Sequence, residues 1–167
     1  MNAAIFDTVR AQLASVAPDA TVSHGTLVLP IEPHALIHVV ETLKGPCRFD
    51  MLLDVTAIDW PTRDPRFDVI WHFYSTAHKV RVRVRTQVTE VDATVRSLTP
   101  YYGSAAYAER ECHEMYGIRF EGNADLRPIL LYEGFVGHPL RKDYPKLAEQ
   151  PLVPYREGFD PGDRTAG

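Results

Sequence analysis

Cysteine is scarce in this sequence of 167 residues, since only Cys47 and Cys112 are present and they lie far apart. Small domains that depend on disulfides carry many cysteines, and zinc ribbons carry close CxxC pairs. Two isolated cysteines form neither pattern, and they do not provide the four thiolates of an iron–sulfur cluster. The cysteine content therefore favours a protein of the reducing cytoplasm that folds on its hydrophobic core alone.

The sequence also lacks a basic excess and long hydrophobic runs. Lys and Arg total 18 against 22 Asp and Glu, which gives a net charge of −4, whereas general nucleic-acid-binding proteins usually carry a strong basic excess. No apolar run approaches the roughly 18–20 residues of a membrane span. Residues 1–16 mix charges among apolar side chains, unlike a signal peptide. We therefore expect membrane association only through partner proteins.

Motifs for nucleotide, nucleophile or metal sites are missing as well. There is no GxGxxG after a predicted strand, no GxxxxGK[ST] and no GxSxG. His113-Glu114 resembles the start of a zinc-protease helix, but Gly117 stands where that motif needs its second histidine. The residue inventory predicts neither an active site nor a cofactor or metal site within this chain.

Two charged clusters are alternative candidate sites. Five aspartates could serve acid–base chemistry or hold magnesium, and three arginines on one predicted strand could contact phosphates: Asp50, Asp54, Asp59, Asp64 and Asp68; Arg81, Arg83 and Arg85. No His or Lys converges on them, so solvated sheet faces with pairing across the strands are the favoured interpretation. An independent metal-dependent enzyme that uses the aspartates or His113 stays open as the less favoured alternative.

What the sequence does contain is regular apolar spacing, in the order helix, two strands, helix, three strands, helix and a long extended C-terminal arm. Helical spacing covers residues 2–17, 33–44 and 104–116, and a short additional helix is predicted near 92–98. Alternation predicts a hairpin over 21–30 and three long strands with these inward-facing residues: Phe49, Met51, Leu53, Val55, Ala57, Phe67, Val69, Trp71, Phe73, Val80, Val82 and Val84. The predicted class is α+β, with helices packed on one face of a mixed, mostly antiparallel sheet.

The regular spacing ends near residue 121. Residues 1–121 are predicted to form a compact α+β domain that includes the last helix, and residues 122–167 an extended arm punctuated by proline and glycine. Prolines hold a backbone extended, which lowers the entropic cost of docking, and the apolar residues of the arm need cover. Docking on a partner protein is the favoured interpretation, and wrapping around its own domain is the alternative.

Two specific motifs lie within residues 109–145. The first comprises Glu109-Arg110-Glu111, Glu114, Met115-Tyr116, Arg127 and Ile129-Leu130, and the second is the block GHPLRKDYP at 137–145. Together they resemble the signature of the C-subunit family of respiratory-chain NADH dehydrogenase, which forms part of the hydrophilic peripheral arm of complex I. Asn123 departs from the family pattern, which usually has His or Lys at this position.

The resemblance implies a structural component of a proton-translocating NADH:quinone oxidoreductase, on the cytoplasmic face of the bacterial inner membrane. Its implied neighbours are a protein like the D subunit, which lines the quinone site, and other peripheral-arm subunits. FMN and iron–sulfur clusters are expected in partner subunits and not in this chain. The equivalent component of a membrane-bound hydrogenase complex is an alternative. No residue is expected to be catalytic, and docking is expected to use Glu109, Arg110, Glu111, Asp125, Arg127, His138, Arg141, Lys142 and Asp143.

Overall fold

The computed structural model describes residues 2–147 of the chain. Within this range it has three α-helices, a short 3₁₀ turn (Pro33–Ala35) and seven strands: α1 (Asn2–Leu13), β1 (Thr21–Ser23), β2 (Thr26–Pro30), α2 (Leu36–Lys44), β3 (Met51–Asp59), β4 (Phe67–Ser75), β5 (Val80–Val88), β6 (Thr94–Arg96), α3 (Ala105–Tyr116) and β7 (Arg119–Glu121).

Five strands form one sheet in the order β1-β2-β5-β4-β3. The consecutive strands β3, β4 and β5 pair antiparallel, as their short connections predict. β2 pairs parallel with β5, because α2 and two strands intervene and bring the chain back in the same direction. The predicted α+β class with a mixed, mostly antiparallel sheet is confirmed.

The hydrophobic core lies between one face of this sheet and the three helices. Phe67, Val69, Trp71 and Phe73 of β4 are fully inaccessible to solvent, and the alternate valines of β5 are buried beside them. All pack in one cluster with apolar residues of α1, α2 and α3. Because each large apolar side chain contributes about 1.5–3 kcal/mol on burial, the alternation in β4 and β5 is sufficient to fix which face turns inward.

β3 departs from the predicted alternation. The prediction that Met51 and Leu53 face inward is wrong, since these side chains are 43% and 44% exposed. The pairing with β4 shifts its register between Leu52 and Asp54. Such a β-bulge places an extra residue in one strand and reverses the faces on one side of it. Leu52 is therefore buried, and the predicted alternation resumes at Val55.

The short helix predicted near residues 92–98 is also wrong. Residues Thr94–Arg96 form β6, which pairs parallel with β7 in a second, two-stranded sheet. The register places Val95 opposite Phe120, and both side chains are buried. The partner strand of β6 lies beyond α3 in the chain, so a pattern local to residues 92–98 does not reveal the pairing.

The first helix is shorter than predicted. α1 ends at Leu13 instead of near residue 17, and the Leu13 carbonyl accepts the N–H groups of Val16 and Ala17 in a closing turn. Within the described residues, no helix is both long and apolar enough to cross a membrane.

Candidate partner-docking site

The C-terminal end of α3 is the point where the arm meets the domain. The last carbonyl groups of a helix have no partner within the helix. Gly117 directly follows α3 in the left-handed conformation, with φ of 78°, and its N–H donates to the His113 carbonyl at 2.7 Å. Glycine suits this position because it adopts positive φ without steric cost, which is why the sequence predicts the end of the helix correctly.

The arm supplies the hydrogen bonds that the end of α3 lacks. The His138 Nδ1 atom lies 2.8 Å from the Glu114 carbonyl, and Arg141 Nε donates to the Tyr116 carbonyl at 2.6 Å. Between them, the Leu140 N–H donates to the Met115 carbonyl at 3.2 Å. We call residues 137–144 the capping segment. It satisfies three successive carbonyl groups, and the Arg141 cation lies at the negative end of the helix dipole.

His138 is suited to this place as a neutral imidazole. Burial lowers the pKa of His138, with neighbouring Arg141 acting in the same direction and the Glu114 carbonyl acting against them. Because a carbonyl oxygen only accepts, the Nδ1 atom that faces it carries the hydrogen. The ring therefore caps α3 as an uncharged donor at neutral pH.

Side chains of α3 hold the earlier part of the arm as well. The buried Glu114 carboxylate accepts the N–H groups of Ile129, Leu130 and Leu131 at 3.3, 2.9 and 2.7 Å. One turn earlier, the Arg110 guanidinium donates to the carbonyl groups of residues 127 and 128, both at 2.9 Å. One helix face thus fixes the path of residues 127–131 through backbone atoms, which leaves their side chains free to point elsewhere.

Glu114→Gln is expected to release residues 129–131 from α3. The substitution replaces one acceptor oxygen with an amide donor that faces backbone N–H groups, and losing hydrogen bonds to a charged group costs about 1.5–3 kcal/mol. We expect these three amides to exchange with deuterium about 10- to 100-fold faster. Glu111→Gln is the matched control, because Glu111 is exposed on the same helix. Equal protection in the wild type and the Glu114→Gln variant would contradict this role.

A buried ion pair anchors the far end of the capping segment to the sheet. Asp59 at the end of β3 pairs with Arg66 at 2.7 Å and accepts the Lys142 N–H at 2.7 Å. Arg66 also pairs with Asp143 at 3.0 Å. The hydrogen bond from Arg66 lowers the pKa of Asp59. The resulting stabilisation is present above the ordinary aspartate pKa of about 3.9 and is lost as pH falls through the lower folded value.

Glu109 lies on another face of α3 and is fully buried. Its carboxylate accepts the Leu98 N–H at 2.6 Å, the Ser97 hydroxyl at 2.7 Å and the Asn123 side-chain amide at 2.9 Å. These donors are all neutral, and burial raises the pKa of Glu109. Glu109 ties α3 to the chain that follows β6 and to the start of the arm. Asn123, where the sequence resemblance implies His or Lys, is its direct partner.

The residues predicted to dock fall into two groups by exposure. Glu111, Arg127, Lys142 and Asp143 are exposed, whereas Glu109, Arg110, Asp125, His138 and Arg141 are buried or half-buried. Contacts within the chain occupy all of the second group: Asp125 pairs with Arg127 at 2.8 Å and with Arg110 at 3.7 Å, and Arg141 approaches Glu90 at 3.7 Å. In the described part of the chain, these buried charges position the arm on its own domain.

The sequence did not single out Glu114, Asp59 or Arg66 for the arm. Glu114 is part of the family signature, but nothing local shows that it faces backbone amides 15 residues further on. The interpretation of the aspartates as a solvated sheet face is wrong for Asp59 and Asp68, which are buried beside Arg66 and Arg63. Their buried partners are visible only once β3 and β4 lie side by side.

The outer surface of the arm is apolar. Leu130, Val136 and Leu140 are 62%, 66% and 47% exposed, and Ile129 and Tyr132 are also exposed. The ring of Phe135 lies between those of Tyr132 and Tyr144, with centroids 5.5 and 6.1 Å away. The capping segment and Glu114 therefore hold the arm against α3, while its aliphatic side chains face solvent.

The described residues offer little for metal chemistry. They contain no group of three or more His, Cys, Asp or Glu placed to hold a metal ion. His113 faces the Ile118 carbonyl at 2.8 Å, and burial raises the pKa of Cys112, which disfavours its thiolate form.

Solved structures that share this fold include the following two. One is a trypsin-resistant fragment (1–134) of Nqo5, which is 26% identical with a TM-score of 0.63 and covers 75% of this chain and 100% of that fragment. The other belongs to the membrane-bound sulfane sulfur reductase, an archaeal respiratory membrane complex. It has a TM-score of 0.72 at 22% identity, over 87% of this chain and 86% of that chain, and this likeness concerns the fold alone. The class defined by this fold is an α+β domain that also occurs in a respiratory membrane complex.

The chain belongs to the family described as respiratory-chain NADH dehydrogenase, 30 Kd subunit, whose model matches residues 29–150. Relatives named as the C subunit of NADH-quinone oxidoreductase include a Cereibacter sphaeroides protein, 46% identical over 77% of this chain, and a Citrifermentans bemidjiense protein, 37% identical over 82% of this chain. The chain spans 66% of the first and 85% of the second, and 59% of a Jannaschia relative. The family resemblance inferred from residues 109–145 is confirmed.

Proposed function

We propose that this chain acts as the C subunit of a proton-translocating NADH:quinone oxidoreductase and contributes structure to the peripheral arm instead of reaction chemistry. Family membership supports the assignment to the C subunit. The apolar outer surface of the arm supports the structural role. Exposed aliphatic side chains on a rigid support are typical of surfaces that a partner covers. FMN and iron–sulfur clusters then belong to other subunits, and this chain is a peripheral component at the cytoplasmic face of the bacterial inner membrane.

The arm surface is proposed to dock on a neighbour that resembles the D subunit. Leu130 and Val136 provide the apolar centre, and the exposed Glu111, Arg127 and Lys142 provide a polar rim. Interfaces concentrate binding energy in a desolvated centre, while charges at the rim mainly set orientation. The buried and half-buried charges of α3 and of the capping segment contribute indirectly, by holding the arm in the shape that docks.

Replacing Leu130 or Val136 with aspartate is expected to block assembly while leaving the free chain folded. The side chains are already exposed, so a charge there costs the isolated chain little, but burying it unpaired in an interface costs several kcal/mol. We expect the fraction of this chain found in the membrane-bound complex to fall at least tenfold on native gels, with NADH:quinone activity reduced in proportion.

Val22→Asp is the matched control, because Val22 is an exposed aliphatic residue on β1, the edge strand opposite to β3, where the arm is anchored. Assembly equal to wild type in both arm variants would argue against docking through this surface. The proteins that co-purify with the wild-type chain decide between an NADH dehydrogenase and a hydrogenase-type complex.

A further inference from the structure

The five-stranded sheet has a second face that carries a row of arginines. The helices pack on the inner face, and β5 directs Arg81, Arg83 and Arg85 to the opposite one, where alternate positions are exposed or half-buried. The register places Tyr74 opposite Arg81 and His72 opposite Arg83. We call this surface the arginine face.

The positive charge of the arginine face is only partly balanced within the described residues. Asp68 approaches Arg85 at 3.9 Å, but the same carboxylate is already bound to Arg63 at 2.6 Å. Arg81 and Arg83 have no ion pair within 4.0 Å among the described residues. The expectation that these arginines pair with aspartates across the sheet therefore holds only for Arg85, whose distance to Asp68 is long at 3.9 Å.

Two buried nitrogen atoms on this face also lack an acceptor. The Nε atoms of Arg83 and Arg85 are inaccessible to solvent and have no hydrogen-bond partner in the described part of the chain. Buried polar groups are nearly always hydrogen-bonded in native proteins, and each exception calls for an explanation. Because these Nε atoms are inaccessible to solvent, an acceptor from another molecule would meet only the exposed part of each guanidinium group.

The geometry points to a specific kind of partner. Alternate residues of a strand lie about 6.6–6.8 Å apart, so Arg81 and Arg83 leave the same face of β5 at about that spacing. A guanidinium group can bind a carboxylate through two parallel hydrogen bonds. With a protein charge of −4 overall, this basic surface is a local exception. We propose that the arginine face binds an acidic, extended segment of a neighbouring protein with carboxylates at alternate positions, an inference that rests on the proposed assembly into a respiratory complex.

The proposed binding surface on the arginine face ends near Arg85. Arg85 and Gln87 line a surface groove of about 470 Å³ that is also lined by Asp19 and Glu32. These two acidic side chains would repel carboxylates, so the segment is expected to lie along Arg81 and Arg83 and to stop short of the groove.

Photo-crosslinking in the purified, assembled complex tests this inference. p-Benzoylphenylalanine replaces Tyr74, an aromatic residue opposite Arg81, and irradiated material is digested and sequenced by mass spectrometry. The expected product joins the position of Tyr74 to a peptide of another subunit that has Asp or Glu at alternate positions. Adding Arg81→Glu is expected to lower the yield at least tenfold, whereas Arg119→Glu, on an exposed position of β7, is expected to leave it unchanged.

A crosslink to a lipid or to a peptide without acidic residues would overturn the inference, and so would no crosslink at all. Equal yields from the Arg81→Glu and Arg119→Glu complexes would overturn it too. If the chain co-purifies with respiratory subunits but gives one of these results, the proposed function stands and only the acidic partner is wrong. If it purifies without any respiratory subunit, both proposals fail together.

Discussion

Gly117→Ala is expected to detach the capping segment from α3 and to lower the free energy of unfolding by about 2–4 kcal/mol. A non-glycine residue at positive φ costs of order 1–2 kcal/mol by itself. In addition, a Cβ atom at residue 117 would lie 2.6 Å from Arg141 Nη2 and 2.7 Å from His138 Nε2. Both side chains would have to shift, which strains their hydrogen bonds to α3 carbonyl groups. The loss should appear in urea denaturation and in faster amide exchange over residues 138–144.

Gly25→Ala separates the two contributions. Gly25 has nearly the same φ, 75° against 78°, but a Cβ there meets nothing within 4 Å. Gly25→Ala should therefore lower the free energy of unfolding only by the cost of a non-glycine residue at positive φ. Amide exchange of residues 138–144 should stay unchanged. If the two alanine variants lose the same stability and both keep the arm protected, the close fit of the capping segment over Gly117 has no energetic role.

Glu109→Ala is expected to cost about 3–5 kcal/mol in the free energy of unfolding. The substitution leaves the Leu98 N–H, the Ser97 hydroxyl and the Asn123 amide without their acceptor, and unsatisfied buried groups cost about 1–3 kcal/mol each. It also opens a cavity in a fully buried place. Glu109→Gln keeps the shape and removes the charge, so a smaller loss is expected from it. Urea denaturation measures both losses.

The same carboxyl group gives a defined dependence on pH. Because burial raises the pKa of Glu109, the folded protein retains this proton to higher pH than the unfolded chain does. Its contribution is fully present below the unfolded pKa, about 4.3, and is lost as pH rises through the folded value. The difference in stability between wild type and Glu109→Gln isolates this effect from that of Asp59, which has the opposite sign.

Asn123→Lys tests why the pKa of Glu109 is raised. A lysine ammonium in place of the neutral amide supplies the cation that the sequence resemblance implies for this position, and an opposite charge nearby lowers a carboxyl pKa. The loss of stability with rising pH should then become smaller. A pH dependence that is the same in the wild type and the Asn123→Lys variant would show that Asn123 does not set the ionisation of Glu109.

The main sheet follows directly from the sequence, and its irregularities do not. The alternate apolar residues of β4 and β5 bury one face at several kcal/mol per strand, which disfavours any other register, although Asp68 and Ile70 on the other face of β4 are buried too. In β3 the same pattern fails at Met51 and Leu53, because a bulge is set by pairing with β4 and changes the face without changing the residues. β6 fails for a related reason, since its partner β7 follows an intervening helix.

The site divides in the same way. By itself the sequence determined the α+β class, the helix that ends at Gly117 and the family to which the chain belongs, because local spacing and a specific motif carry that information. It also predicted a charge-rich arm after residue 121. Only the tertiary structure decided what the charges do. His138 and Arg141 donate to carbonyl groups of α3, and Glu114 accepts from the backbone of the arm. Arg66 pairs with Asp59 and with Asp143. The physical reason is that a buried charge must find a partner wherever the fold brings one, and these partners come from elements far apart in the chain.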